Sequence, residues 1–261
     1  MKGFILSVPQ KYEELALRNV LLLRHRFRLD HPIEIWEAGQ DISDEVRAQF
    51  SRIPGLVFRN VEEVGEDPAF WKGFQIKALM CRFTRFDEFV LVDADATFVQ
   101  NPKKIWNSRG YRKTGSYFFR DLTQWKFHDL SETTDEKFMS AEYVRGRIAW
   151  LKGLLPHRSP FFPKEWSFVY EQDLPTRPVL EAYMESGVVF LNKAFHHRTV
   201  QVLFDLNKNH AETYRWIWGD KETFWIACCI AEAPYTMNSQ PPYMAKKLIQ
   251  PYRWLPFYYQ K

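Results

Sequence analysis

The sequence predicts an α/β protein: a mostly parallel central sheet with flanking helices, in one continuous domain. Three observations carry that expectation. Over the first 110 residues, short apolar runs alternate with stretches of helical period, which is the pattern of βαβ units. One apolar run, Glu88 to Val92, leads straight into Asp93-Ala94-Asp95, and parallel sheets bind ligands at the carboxyl ends of their strands. A chain of 261 residues that is 46% hydrophobic can bury a sizeable core.

The elements follow in order. Gly3 to Val8 is a short apolar strand closed by Pro9, and Leu15 to Phe27 carries apolar residues at helical spacing. Pro32 to Trp36 alternates as a strand, and Ala38-Gly39-Gln40 turns the chain. Ser43 to Ile53 reads as an amphipathic helix, with Ser43 as N-cap and acids in the first turn. Pro54-Gly55 leads into a strand at Leu56 to Val61, Phe70 to Phe83 reads as a helix, and Glu88 to Val92 is the strand before Asp93. From about Tyr111 to Arg177 the pattern loosens into an aromatic, charged and proline-bearing region, with one helix expected at Glu142 to Leu155. Regularity returns with a turn and strand at Tyr183 to Asn192, a helix at Thr199 to Asn209, and a helix opened by Gly219-Asp220-Lys221-Glu222 that runs to about Ile230. From Pro241 the tail is rich in Pro and Tyr and is expected to wrap irregularly. There are no internal repeats and no low-complexity linker.

Composition excludes several classes. Net charge is +4 with acids and bases interspersed, which suits an anionic small molecule and is too weak for nucleic acid. The basic run Arg24-His25-Arg26-Phe27-Arg28 falls where a helix ends, a place that favours cations. The three cysteines, Cys81, Cys228 and Cys229, form no disulfide framework and read as buried thiols. The apolar start, Met1 to Pro9, is too short for a signal peptide or a transmembrane anchor, so a cytoplasmic protein is expected. The aromatic content, 17%, fits stacking platforms for sugars or bases and equally a bulky core.

Asp93 and Asp95 carry the chemistry. Two carboxylates spaced i, i+2 on extended backbone point the same way and repel, unless a divalent cation with oxygen ligands sits between them. Mn²⁺ or Mg²⁺ held there would neutralise charge on a departing diphosphate. A strand-end turn is the plainer alternative.

Lys77, separated from Asp93 by fifteen residues, together with Asp93-x-Asp95 and the following Val99-Gln100-Asn101-Pro102, resembles the GT-A glycosyltransferases. More narrowly, Phe74 to Leu79 with Phe89 to Pro102, Glu185 to Lys193, and Gly219 to Ala227 resemble, in order and spacing, the fungal α-mannosyltransferase family that decorates cell-wall mannans. With the strand at Pro32 to Trp36 the resemblance covers about two thirds of the chain. It implies a GT-A fold, a Rossmann-like sheet in a single domain over residues 1–261, with 1–110 as donor half and 111–261 as acceptor half. It also implies a divalent metal, a UDP- or GDP-sugar donor and an oligosaccharide acceptor.

The resemblance further implies roles. Asp93 and Asp95 would bind the metal, and Ser7, Val8, Lys77, Asp93, Ala94 and Gly187 would line the donor. Asp220 and Glu185 would act in catalysis, and Trp218 and Glu222 would meet the acceptor. Asp220 is also a natural helix N-cap. Many GT-A enzymes complete the metal shell with a late histidine. Here the last is His210, so water and diphosphate, or Asn238 or Gln240, would finish it; His196-His197 reads as a solvated pair. A nucleotidyltransferase would want a Gly-rich phosphate loop near the N-terminus, which Ser7 to Lys11 lacks. A non-catalytic, metal-dependent carbohydrate-binding protein would be mostly β.

Overall fold

The computed structural model describes residues 1–121, 141–171 and 183–240. The proline-rich tail from Pro241, and Pro175 to Arg177, lie outside the described residues. The strands are β1 Lys2–Ser7, β2 Ile33–Glu37, β3 Leu56–Asn60, β4 Glu88–Asp93, β5 Ser116–Arg120 and β6 Met184–Asn192. The helices are α1 Glu13–Leu21, α2 Asp44–Phe50, α3 Ile76–Phe83, α4 Lys103–Trp106, α5 Arg109–Thr114, α6 Ala141–Leu154, α7 His197–Lys208, α8 His210–Thr213 and α9 Thr223–Ile230.

The strands form one sheet in the order β3-β2-β1-β4-β6-β5. β1 lies parallel between β2 and β4, and β2 pairs parallel with β3. β6 is antiparallel to β4 and to β5. Alternate side chains feed two apolar layers, as strand geometry requires. Ile5, Trp36, Phe89 and Leu91 face a layer with residues of α3, α7 and α9. Phe4, Leu6, Ile33, Ile35, Val90 and Val92 face the other, with residues of α1 and α2. Among the described residues no helix is long and apolar enough to cross a membrane.

Several local expectations shift. The helix expected from Phe70 starts only at Ile76. Gly73, at φ 158°, interrupts it, and the Gln75 side chain donates to Phe70 O at 2.6 Å, closing a turn in place of a helical start. β5 was not anticipated, because its burial alternates only weakly. The first helix ends in a wide turn, Leu22–Arg26. There Arg24 is not simply solvated, since it donates to His31 O at 2.8 Å and Pro54 O at 3.1 Å. Ser43 caps α2 as expected, accepting from Val46 N. The three cysteines are buried free thiols.

Candidate active site

The carboxyl ends of β1 and β4 place Ser7 beside Asp93 in register. Val8 turns into the core and its N–H bonds Trp36 O at 3.2 Å, so only the backbone of this residue borders the site. The turn after β4 is braced from α1. Asn19, buried mid-helix, donates to Ala94 O at 2.8 Å and accepts from the Thr97 hydroxyl at 2.7 Å. The sequence reading missed Asn19. The available signal was a polar side chain on the apolar stripe of an amphipathic helix.

Lys77 is the hub. α3 delivers it from below the sheet edge, and its side chain is only 8% exposed. Its Nζ lies 2.9 Å from Asp93, 3.1 Å from Ser186 Oγ on β6 and 3.4 Å from Asp220 Oδ2. Burial alone would lower the Lys77 pKa, but Asp220, Asp93 and Glu185 outweigh it and hold the ammonium charged. Burial pushes the Asp93 carboxyl up to about 6, with Asp220 and Glu185 adding repulsion and Lys77 opposing them. The structure therefore joins Lys77, Asp93 and Asp220, which lie far apart in sequence. Lys77 engages protein oxygens directly.

Asp220 is not an N-cap. Its carbonyl accepts from Thr223 N at 3.0 Å, while its carboxylate turns to Lys77, and α9 has no side-chain cap. Gly219 makes this turn possible. Its φ is 58°, and a Cβ there would stand 3.2 Å from the Phe74 ring. Asp220 Oδ2 is buried and, among the described residues, accepts no hydrogen bond.

A second lysine cluster adjoins the first. Lys221 Nζ lies 2.7 Å from Asp121 Oδ2, just past β5, and 2.7 Å from Glu185 Oε2 on β6. Glu185 Oε1 accepts from Gly187 N at 2.9 Å. Glu185 is thus held by a lysine and a backbone N–H, and Gly187 is buried within its strand. Neither Lys221 nor Asp121 was singled out from the sequence. Their pairing depends on β5, which the sequence did not reveal.

Other expectations are corrected. Glu222 does not face an acceptor. It is fully buried and accepts from Met184 N at 3.2 Å, from Tyr183 N and from Trp225 Nε1, clamping β6 to α9. His196 is not solvated. It is buried, with Nε2 2.8 Å from Thr114 O and Nδ1 3.2 Å from Thr199 Oγ1, whereas His197 is exposed. Asn238 sits on the outer side of β5, two strands from β4, and its Oδ1 accepts from Gln240 N, so it does not complete a shell at Asp93. Trp218 is half exposed at the mouth, near the exposed Phe74.

Among the described residues no three His, Cys, Asp or Glu side chains converge to hold a metal ion by themselves. The residues nonetheless fit one of the Mg²⁺ or Mn²⁺ kind. Such ions are commonly bound by one or two carboxylates, with water and substrate phosphates supplying the remaining oxygens. Asp93, 28% exposed, and the partly exposed Asp95 offer that oxygen set.

A mostly parallel sheet in which β6 alone runs against the other strands, with acids gathered at its carboxyl edge, defines a GT-A-type glycosyltransferase fold. Two solved structures share it. The galactosyltransferase LgtC, solved with donor and acceptor sugar analogs, has TM-score 0.52 and 13% identity, covering 90% of this chain and 73% of that one. The mannosyltransferase Ktr4p of Saccharomyces cerevisiae has TM-score 0.51 and 10% identity, covering 87% and 65%. Residues 1–251 match the family described as "Mannosyltransferase putative", and the chain belongs to that family. Among its relatives, "Putative alpha-1,3-mannosyltransferase MNN14" of Candida albicans is 29% identical over 92% of this chain and 35% of its own length. "Alpha-1,3-mannosyltransferase MNT3" of Saccharomyces cerevisiae is 24% identical over 91% of this chain and 39% of its own length. The chain spans little more than a third of either relative.

Proposed function

We propose that this chain transfers a mannosyl group from a nucleoside-diphosphate mannose, GDP- or UDP-linked, to a hydroxyl of a glycan acceptor. One observation carries the reading. The buried carboxylate of Asp220, with an oxygen that accepts no hydrogen bond among the described residues, stands 3.4 Å from the lysine that holds Asp93. That oxygen is in ion-pair contact with the Lys77 ammonium but accepts no hydrogen bond among those residues, and a buried acid so placed is a candidate to meet a ligand or a reacting centre. In the transfer, the bond between the anomeric carbon and the diphosphate oxygen breaks, and a bond to the acceptor oxygen forms. The nucleoside diphosphate leaves with the bonding pair, and one proton is released. Positive charge builds on the sugar and negative charge on the diphosphate. Asp220 sets its negative charge against the sugar, and Lys77 fixes the positions of both Asp220 and Asp93. Glu185, held by Lys221 and Gly187, borders the acceptor side. A divalent metal at Asp93 and Asp95, when bound, would neutralise charge on the diphosphate and orient it.

Family membership favours this reading over a nucleotidyltransferase or a non-catalytic carbohydrate binder. The test is a thermal-shift panel of GDP- and UDP-mannose with and without Mn²⁺, since a ligand that binds only the native state raises the melting temperature. A metal-dependent shift with one donor, lost in Asp95→Ala, is the expected outcome. No shift and no donor turnover with either nucleotide would sink the proposal.

A further inference from the structure

The carboxyl edge of the sheet continues past the acid cluster to β5. Along the outer side of β5 the chain runs back beside it. Phe118 N donates to Thr236 O and Asn238 N donates to Phe118 O, both at 2.8 Å, so Phe118 and Met237 bridge in parallel. Over this edge opens a cavity of about 400 Å³, walled by Arg120, Phe161, Phe162, Tyr183, Tyr235 and Asn238. That volume lies within the range of small-molecule sites.

Its position is set by the sheet order. Ser7 and Asp93 lie side by side on β1 and β4, while the cavity lies beyond β6 on the far side of Glu185. Its lining is continuous along the chain with the acid cluster. Arg120 precedes Asp121, which pairs with Lys221, and Tyr183 is two residues before Glu185 on the same stretch.

Its chemistry, aromatic rings beside fixed polar groups, suits a polyol. The rings of Phe161, Phe162, Tyr183 and Tyr235 stand in the wall, with Phe162 buried and Tyr183 lying under Arg120. Arg120 is ion-paired with Glu165 and lies 5.3 Å from the Tyr183 ring, which fixes both as hydrogen-bonding groups on the wall, and the exposed Lys164 stands beside them. Tyr235 is held flat by stacking on Phe118 at 5.5 Å and 26°. Asn238 uses its Oδ1 on Gln240 N, and its Nδ2 donates to no described residue.

We propose that this cavity seats the terminal hexose of a glycan acceptor, with one hydroxyl toward Asp220 and Glu185; the assignment to an acceptor rests on the transfer reading above. Aromatic faces take the C–H side of the sugar ring, and Arg120, Glu165 and Asn238 take its hydroxyls. The nucleotide stays on the β1 side of the same edge.

The probe is methyl α-D-mannopyranoside at millimolar concentration, read by saturation-transfer NMR on the whole chain. Two variants are compared with the wild type. Ser239→Trp changes an exposed residue on the rim and fills the cavity mouth, and Asn238→Ala removes one amide. The proposal expects the mannoside signal to vanish in Ser239→Trp and the affinity to fall about tenfold in Asn238→Ala. The melting-temperature rise given by GDP with Mn²⁺ should match the wild type in both. Wild-type mannoside signals in both variants, or no signal in the wild type, would overturn it. If Ser239→Trp itself melts early, Asn238→Ala decides. If no nucleotide sugar shifts the wild type, the transfer reading falls, while the mannoside comparison still reports on the cavity as a sugar site.

Discussion

Two lysines organise the carboxyl edge of the sheet, and they do so in different surroundings. Lys77 is 8% exposed and lies against Asp93 and Asp220, the latter only 3% exposed. Lys221, one residue past Asp220, bridges Asp121 and Glu185 with 24% of its own side chain exposed. Both have raised pKa values for the same reason, neighbouring acids overcoming the penalty of burial. What differs is the surrounding medium. Inside the protein an unpaired charge has no water to turn to, whereas near the surface solvent screens it. The buried lysine therefore holds the fold and the reacting groups together, and the more open lysine positions one acid at lower cost.

The sharpest way to break this contrast is Lys77→Met. It leaves two acids facing each other without their cation, and a buried pair broken on one side typically loses about 3–5 kcal/mol. Urea unfolding should show a loss of that order, together with loss of transfer. If Lys77→Met unfolds at the wild-type midpoint, the hub reading is wrong. Asp220→Asn keeps the shape and removes the charge. Transfer should fall about 10²- to 10⁴-fold while donor binding by thermal shift persists, which separates chemistry from folding. A variant with the wild-type rate would remove Asp220 from the reaction.

Lys221→Met is the milder counterpart. Partial exposure screens Glu185 from Asp121, so the stability loss should be about 1–2 kcal/mol, below that of Lys77→Met. The acceptor KM should rise more than kcat falls, because Glu185 loses its anchor on the acceptor side. Equal stability losses in the two lysine variants, measured by the same unfolding curves, would erase the distinction.

The same contrast explains what could be read from the sequence. β1, β2, β3 and β4 are each a local apolar run bounded by turns, so they and the Asp93-x-Asp95 turn were legible. Lys77, Asp93, Glu185 and Asp220 were named as separate candidates; that one ammonium gathers Asp93 and Asp220 is a fact of packing. Lys221 and Asp121 were not legible, because their meeting needs β5, a strand in the aromatic and charged stretch where the pattern loosens, to pair with β6. The cap offered for Asp220 beside its catalytic role, and the acceptor contact expected of Glu222, fail for one reason. An acid near a helix start looks alike whether its carboxylate turns along the helix, into the core or into the site. Only the left-handed turn at Gly219 decides which way Asp220 faces.

His196 supplies the smallest test, because it is a buried titrating group with no acid beside it. Burial lowers its pKa below the ordinary histidine value, partly offset by its bond to Thr114 O. The folded protein therefore keeps His196 neutral, while the unfolded chain takes up a proton near the ordinary pKa of about 6.5. Its contribution is fully present above that pH and is lost as pH falls through the lower folded value. Glu222 acts in the opposite sense. Burial pushes it up to about 7, so its neutral form is favoured in the fold and stability decreases as pH rises from the unfolded value toward 7. The wild-type melting curve mixes the two, and the difference between wild type and His196→Gln isolates the histidine. Between pH 6.5 and 5 the melting temperature of the wild type should fall further than that of His196→Gln. Parallel curves would mean that His196 is already compensated as the two lysines are, and that burial without a countercharge is not what separates it from them.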